Sequence, residues 1–264
     1  MRMESPRRFR TLFISDVHLG TRGCQAERLL DFLRFHEADE IYLVGDIIDG
    51  WHLRNGWNWP QAHNDVVQKL LRQCRRGVRI HYIPGNHDEF LRDYYGTHFG
   101  GIEVVEQVVH VAADRKRYLV THGDRFDLIV KHARWLALLG DHAYSFALGV
   151  NTTFNIIRRA FGLPYWSLSQ WAKFKVKKAV NYIGDFEKTL ALEAQRHKTD
   201  GVICGHIHHA AIHDIGDVHY VNCGDWVESC SAVVEHMDGR FEIITWTHVH
   251  DHALQEALEE AQAA

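Results

Sequence analysis

Cysteine is scarce in this chain, and the five present (Cys24, Cys74, Cys204, Cys223 and Cys230) form no C-x-x-C pair. An odd number in a chain that is not small does not read as a disulfide framework, so a reducing, cytoplasmic setting is expected. Long hydrophobic runs are also missing. The most apolar stretch, Leu136 to Val150, is too short to span a bilayer and contains Asp141 and His142. Met1 to Arg10 is basic without an apolar core segment, so no secretory signal is expected. There is no long basic tract, and the net charge is −4 with neutral histidines. Both argue against a general nucleic-acid binder, whose footprint is basic. No internal repeat and no low-complexity linker occurs.

The remaining composition is that of an ordinary globular protein, 46% hydrophobic and 24% charged over 264 residues. That length suffices for one large α/β domain, or for a domain with a lid. Strand-like runs at Arg10–Ser15, Glu40–Val44 and Arg79–Ile83 alternate with helical spacing over Glu27–His36 and His63–Arg76. Alternation of this kind predicts a parallel sheet with helices on its faces. Three short β-like runs follow between Ile102 and Val120. From Phe126 to about His197 the pattern turns helical, and strands return from Gly201 to Thr245. These last are expected to be antiparallel, with Gly216-Asp217 and Asp238-Gly239 as hairpin turns.

Histidine is the abundant residue, at 21, and its clustering is informative. Five short segments each follow a strand-like run: Asp16-Val17-His18, Gly45-Asp46, Gly85-Asn86-His87-Asp88, His122-Gly123-Asp124 and Gly205-His206-Ile207-His208. Each supplies carboxylate, imidazole or amide, the groups that bind hard to borderline divalent cations. Singly, an Asp or Asn after a strand is a turn or cap residue, and a lone His is a hydrogen-bonded core residue. Five such loops together point to a metal site, because ligands in open α/β sheets collect at the carboxyl ends of the strands.

The set D-x-H, G-D-x-x-D, G-N-H-D, H-G-D and G-H-x-H is similar to that of the calcineurin-like metallophosphoesterases. The resemblance implies an α/β fold built as a two-sheet β-sandwich flanked by helices. It also implies that Asp16, His18 and His208 bind one divalent metal, that Asn86, His122 and His206 bind the other, and that Asp46 bridges them. His87 would be the catalytic histidine, with Asp88 behind it to orient the ring. The chemistry agrees with these roles. Two cations about 3.5–4 Å apart need a shared carboxylate, and a water bridging them loses a proton near neutral pH to become the nucleophile. His87 is left to donate a proton to the leaving oxygen. Asp49 reads as a residue that backs a site residue or stabilises the loop, and Asp124 as the residue that orients His122. The mixed oxygen and nitrogen donors suit manganese.

Within the superfamily, F-I-S-D-V-H-L, G-D-I-I-D-G-W, the overall length and a helical block before G-H-x-H resemble the UDP-2,3-diacylglucosamine hydrolases of lipid A synthesis. That resemblance implies cleavage of a pyrophosphate in a UDP-sugar lipid, giving UMP and an acylated sugar phosphate, with manganese as the usual metal. Those enzymes carry arginine where this chain has His87, and a histidine donor belongs to the general phosphomonoesterases and phosphodiesterases of the superfamily. Both substrate readings therefore stand, beside a non-catalytic scaffold and a nuclease.

The expected organisation is a core at 1–125 and 198–250, a helical insertion at 126–197 acting as a lid, and a tail at 251–264. Trp51, Trp57 and Trp59 form either a packed loop cluster or a wall of the substrate pocket. The basic and aromatic residues of the insertion are read as a solvated face, or as a lid that meets a phosphorylated, partly apolar substrate or a membrane surface. The expected partner is a phosphorylated small molecule or lipid, in the cytoplasm, with peripheral contact to the inner membrane left open and no nucleic acid.

Overall fold

A computed structural model describes residues 6–126 and 168–246. The elements run β1 (Arg7–Ile14), α1 (Ala26–Phe35), β2 (His36–Val44), α2 (Gly50–Asn55), α3 (Gln61–Arg75), β3 (Arg79–Ile83), β4 (His98–Phe99), β5 (Ile102–Val104), β6 (Val108–Val111) and β7 (Arg117–Val120). Then come α4 (Leu168–Arg196), β8 (Gly201–Cys204), β9 (Ala211–Ile215), β10 (Val218–Asn222), β11 (Ser231–Glu235) and β12 (Phe241–Thr245). They form two sheets, ordered β12-β11-β1-β2-β3-β5-β4 and β6-β7-β8-β10-β9. Strands β1, β2, β3 and β5 are parallel neighbours, as the alternation with α1 and α3 requires.

One pairing departs from expectation. The strands after residue 200 are not all antiparallel: β10 pairs with β8 in parallel, Tyr220 opposite Val202, while β9 folds back on the outer edge of β10. The β11–β12 hairpin crosses to the other sheet and pairs with β1. The physical reason is burial. The segment GVIC is buried at every position and VHYVN at four of five, the pattern of strands covered on both faces.

Two units are distinguishable, one comprising 1–123 with 191–264 and the other 124–190. Most of the expected insertion, including Leu136–Val150, lies at 127–167, outside the described residues, as does the tail at 251–264. No helix among the described residues is long and apolar enough to cross a membrane. All five cysteines are free.

Side-chain alternation sorts the strands between two cores. Leu12, Ile14, Ile41, Leu43, Ala232 and Val234 pack in one cluster with Leu29, Phe32 and Leu33 of α1 and Val66 and Leu70 of α3. The intervening Phe13, Tyr42, Val44 and Val233 meet Tyr118, Val120, Ile203 and Val221 of the second sheet. Phe13 stacks on Tyr42 with centroids 5.0 Å apart. Filling both cores fixes which strand ends lie level with one another, and β1, β2, β3, β7 and β8, each parallel to a neighbour in its sheet, end where the five sequence motifs begin.

Away from that side the inter-sheet face becomes polar. Glu235 is fully buried, takes both oxygens to Arg10 at 2.8 Å, and accepts from Thr11 and from the Ala113 backbone. His110 Nε2 lies 2.8 Å from the same carboxylate. Beside it, Glu40 is bound by Arg79 and His81, each at 3.2 Å. Burial alone would raise the Glu40 pKa, but these two partners outweigh it and hold the carboxyl down to about 2.

A carboxylate depressed below its usual 4.5 contributes stability that is present above that value and lost as pH falls toward 2. Glu40→Gln should therefore lower stability at neutral pH and flatten its decline between about pH 6 and about pH 3. Urea denaturation across that range tests this, and equal slopes for variant and parent would contradict it.

Candidate metal centre

Every motif residue follows a strand end. Asp16 and His18 follow β1, Asp46 follows β2, Asn86 and His87 follow β3, His122 follows β7, and His206 and His208 follow β8. Backbone bonds tie these loops together: Asp16 N–H to Gly45 O, His18 N–H to Asp46 O, Gly50 N–H to His87 O, and Trp226 N–H to Asp16 O. The loops approach so closely that a side chain on the motif glycines has no room. A Cβ on Gly45 would strike the His122 ring, and one on Gly85 would strike Asp46 and His122. Asp16, His18, Asp46, His206 and His208 all have φ between 52° and 73°. Left-handed backbone in five non-glycine residues is local strain of the sort that surrounding structure must hold in place, and it clusters at functional sites.

The loops gather the predicted ligands into two groups. One atom each from Asp16, His18 and His208 lies within 4.8 Å of the others, and the same holds for Asp46, His122 and His206. The carboxylates are aimed. Asp16 Oδ2 accepts from His206 N–H at 2.9 Å, which leaves Oδ1 toward His208 Nε2 at 3.4 Å. Asp46 Oδ1 accepts from His87 N–H at 2.8 Å, which leaves Oδ2 toward His122 Nε2 at 3.3 Å. The imidazoles are aimed as well. His18 Nδ1 is bound by Asp49 at 3.1 Å and His122 Nδ1 by the Val44 carbonyl at 2.9 Å, so each turns Nε2 inward.

Asp46 acts on both groups. Burial works against its charge, but His122, His87 and His18 together hold its pKa well below the usual range. Burial likewise disfavours a charged His18, yet its bond to Asp49 and the charges of Asp46 and Asp16 pull its pKa up.

These residues fit divalent cations. Asp16 Oδ1, His18 Nε2 and Asn86 Oδ1 are buried and make no hydrogen bond. Three buried polar atoms left so would each cost about 1–3 kcal/mol unless something electrophilic completes them. The donors are oxygen and imidazole nitrogen without thiolate, a borderline set open to manganese, zinc or iron.

One expectation is corrected. Asp88 was expected to orient His87, but its carboxylate is wholly buried and turned into the loops. It accepts from the backbone N–H of Gly85, Asp46, Ile47 and Ile48 and from the Tyr82 hydroxyl. Burial and the nearby Asp46 charge raise its pKa. The residue that meets the His87 ring is Asp49, whose Oδ2 lies 2.9 Å from His87 Nδ1. Adjacent side chains diverge, so Asp88 cannot reach back to His87, whereas a residue from another loop can. Asp49 also receives His18 and His52, and burial notwithstanding, the bonds from His18 and His87 keep its pKa far down.

Some contributors were not singled out from the sequence. Asp225, after β10, is buried, accepts from three successive backbone N–H groups, Val227 to Ser229, and lies 3.9 Å from His208 Nδ1. Gly224-Asp225 after a strand repeats the Gly45-Asp46 signal and could have found it. Asn222, fully buried, holds the Gly205 carbonyl and the Gly224 N–H. Trp51 lies against His87, centroids 4.0 Å apart, whereas Trp57 is 76% exposed. His63, on α3, is buried and accepts from Gly20 N–H.

A fold of two sheets with loops that assemble carboxylates and imidazoles at one edge defines a class, the metal-dependent phosphoester hydrolases. A family model for calcineurin-like phosphoesterases matches residues 9–210, and the chain belongs to that family. Among curated relatives, the UDP-2,3-diacylglucosamine hydrolase of Blochmanniella pennsylvanica is 27% identical over 77% of this chain and 81% of its own length. That of Serratia proteamaculans is 27% identical over 82% and 90%. Among solved structures, the Escherichia coli phosphoesterase Yfce is 16% identical, with a TM-score of 0.42 over 90% of this chain and 99% of its own.

The two carboxylates should separate by experiment. Asp88→Asn should cost about 1–3 kcal/mol in urea denaturation, since buried N–H groups lose acceptors. Asp49→Asn should cut turnover more than stability, because it weakens the acceptor that fixes the His87 ring. Equal effects of the two variants on turnover and on stability would contradict the division.

Proposed function

We propose that this protein is a dinuclear phosphoester hydrolase that cleaves the pyrophosphate of a nucleotide-linked sugar lipid of the UDP-2,3-diacylglucosamine type. The observation that carries the dinuclear reading is the pairing of the two ligand groups, Asp16–His18–His208 and Asp46–His122–His206, with Asp46 acting electrostatically on both. Asp16, His18 and His208 would hold one cation; Asn86, His122 and His206 the other; Asp46 both. Manganese is the metal this donor set suits. Bound cations of this kind supply Lewis acidity, which makes water nucleophilic at neutral pH and offsets charge on phosphoryl oxygens.

The chain's own residues do the rest. Asp49 fixes the His87 ring through Nδ1, which leaves Nε2 to give a proton to the departing oxygen. Trp51 closes one side of that ring. Asp88 and Tyr82 hold the backbone on which Asp46 and His87 are mounted. Support for the lipid substrate comes from the relatives, which share this chain's length over most of its extent. His87 itself favours a second reading, a phosphomonoesterase or phosphodiesterase with a different substrate. For residues 126–197 we propose a substrate-selecting lid, on the strength of their insertion between His122 and His206 and their aromatic and basic content.

Hydrolysis of UDP-diacylglucosamine, aryl phosphates and cyclic nucleotides, compared with manganese present, tests the substrate; release of UMP from the first is expected. His87→Ala should keep the metals and lose about 10²–10⁴-fold in turnover, most on poor leaving groups. Equal losses on good and poor leaving groups would show that His87 binds phosphate instead. Asp46→Ala should release at least one metal by elemental analysis; retention of both would refute the bridging assignment. Removing 127–167 should impair acylated substrates and spare small aryl phosphates, and a parallel loss in folded protein would remove the lid role.

A further inference from the structure

One imidazole at this edge has no role in the scheme above. Asp49 Oδ2 receives three ring nitrogens: His18 Nδ1 at 3.1 Å, His87 Nδ1 at 2.9 Å and His52 Nδ1 at 3.0 Å. The three rings differ in exposure. The side chain of His18 is 9% exposed, that of His87 21% and that of His52 67%, around a carboxylate that is 1% exposed. They therefore form a graded series on one anchor, running from the ligand group outward to solvent.

The His52 ring is not needed to build its own helix. The cap of α2 is the Asp49 side chain accepting from the His52 backbone N–H at 2.8 Å, a bond that any residue at position 52 would make. The ring is nonetheless immobilised, since its Nδ1 and its backbone N–H are held by the two oxygens of one carboxylate. Among the described residues no group hydrogen bonds its Nε2. With Nδ1 facing the Asp49 carboxylate, Nε2 is the ring nitrogen left open to a ligand on the solvent side. Its surroundings suit an anion: α2 reads Gly50-Trp51-His52-Leu53-Arg54-Asn55, with basic groups and no carboxylate of its own.

We propose that His52 is a specificity residue that holds the non-transferred phosphoryl group of a diphosphate-type substrate through Nε2. The inference rests on the phosphoesterase reading above. The two ligand groups and His87 serve the phosphorus under attack. A substrate with a second phosphoryl group carries further negative charge one position along, and His52 is the next donor on the same carboxylate. A phosphomonoester has nothing to offer it.

The test uses the full chain loaded with manganese, titrated calorimetrically with imidodiphosphate and with orthophosphate, for the parent and for His52→Ala, His52→Asn and His52→Gln. Asparagine retains a donor near the Nδ1 position, and glutamine retains one near Nε2. Loss of a charge-assisted hydrogen bond should weaken imidodiphosphate about tenfold or more in His52→Ala and His52→Asn, leave orthophosphate within about twofold, and be partly restored in His52→Gln. Equal weakening of both probes with rescue by asparagine, or unchanged binding throughout, overturns the proposal. The first would mean that His52 acts only by positioning Asp49. If the parent binds neither probe although it takes up metal, the phosphoesterase reading falls, and this inference with it.

Discussion

Removing carboxylate charge from water is the constraint that the rest of this molecule answers. Asp16, Asp46, Asp49, Asp88 and Asp225 stand within one edge at exposures of 0–2%. An ionised carboxylate moved into a protein interior costs several kcal/mol unless it is paired and hydrogen-bonded. Each of the five has its own solution. Asp49 is surrounded by imidazoles, Asp88 by backbone N–H groups and a tyrosine, and Asp225 by the turn it caps. Asp16 and Asp46 each give one oxygen to a backbone N–H and direct the other at a histidine nitrogen. That division sets the candidate ligand positions apart from the supporting ones.

The support costs backbone freedom. Holding two oxygens in place requires loops that turn sharply where the strands end, and five candidate ligand residues accept left-handed backbone to do so. The strain is tolerable because both ends of every loop are fixed. Parallel strands in two sheets supply the fixed ends, and the Phe13–Tyr42 layer between the sheets keeps them level. Packing in the core and precision at the edge are thus the same property seen at two places.

The abundance of histidine follows from this. An imidazole offers two nitrogens with separable duties, one to be anchored and one to be presented. His18 is anchored by Asp49 and His122 by the Val44 carbonyl, and in His110 the same chemistry stitches one sheet to the other through Glu235. Histidines that would look alike in composition serve as candidate ligands, as the proposed proton donor and as structural bridges, according to what takes the first nitrogen.

By itself the sequence determined the sheet with flanking helices, because apolar periodicity is a local property, and it determined the ligand candidates, because each lies just past a strand. The glycines of G-D, G-N and G-H could be read as motif residues but not explained, since their reason is another loop's side chain. Tertiary structure alone decided the parallel β8–β10 pairing, which depends on the β11–β12 hairpin leaving for the other sheet. It alone decided that Asp49 and not Asp88 meets His87. Neighbours in sequence point apart, while residues from separate loops converge, so the partner of a functional side chain is a long-range fact that no spacing along the chain encodes.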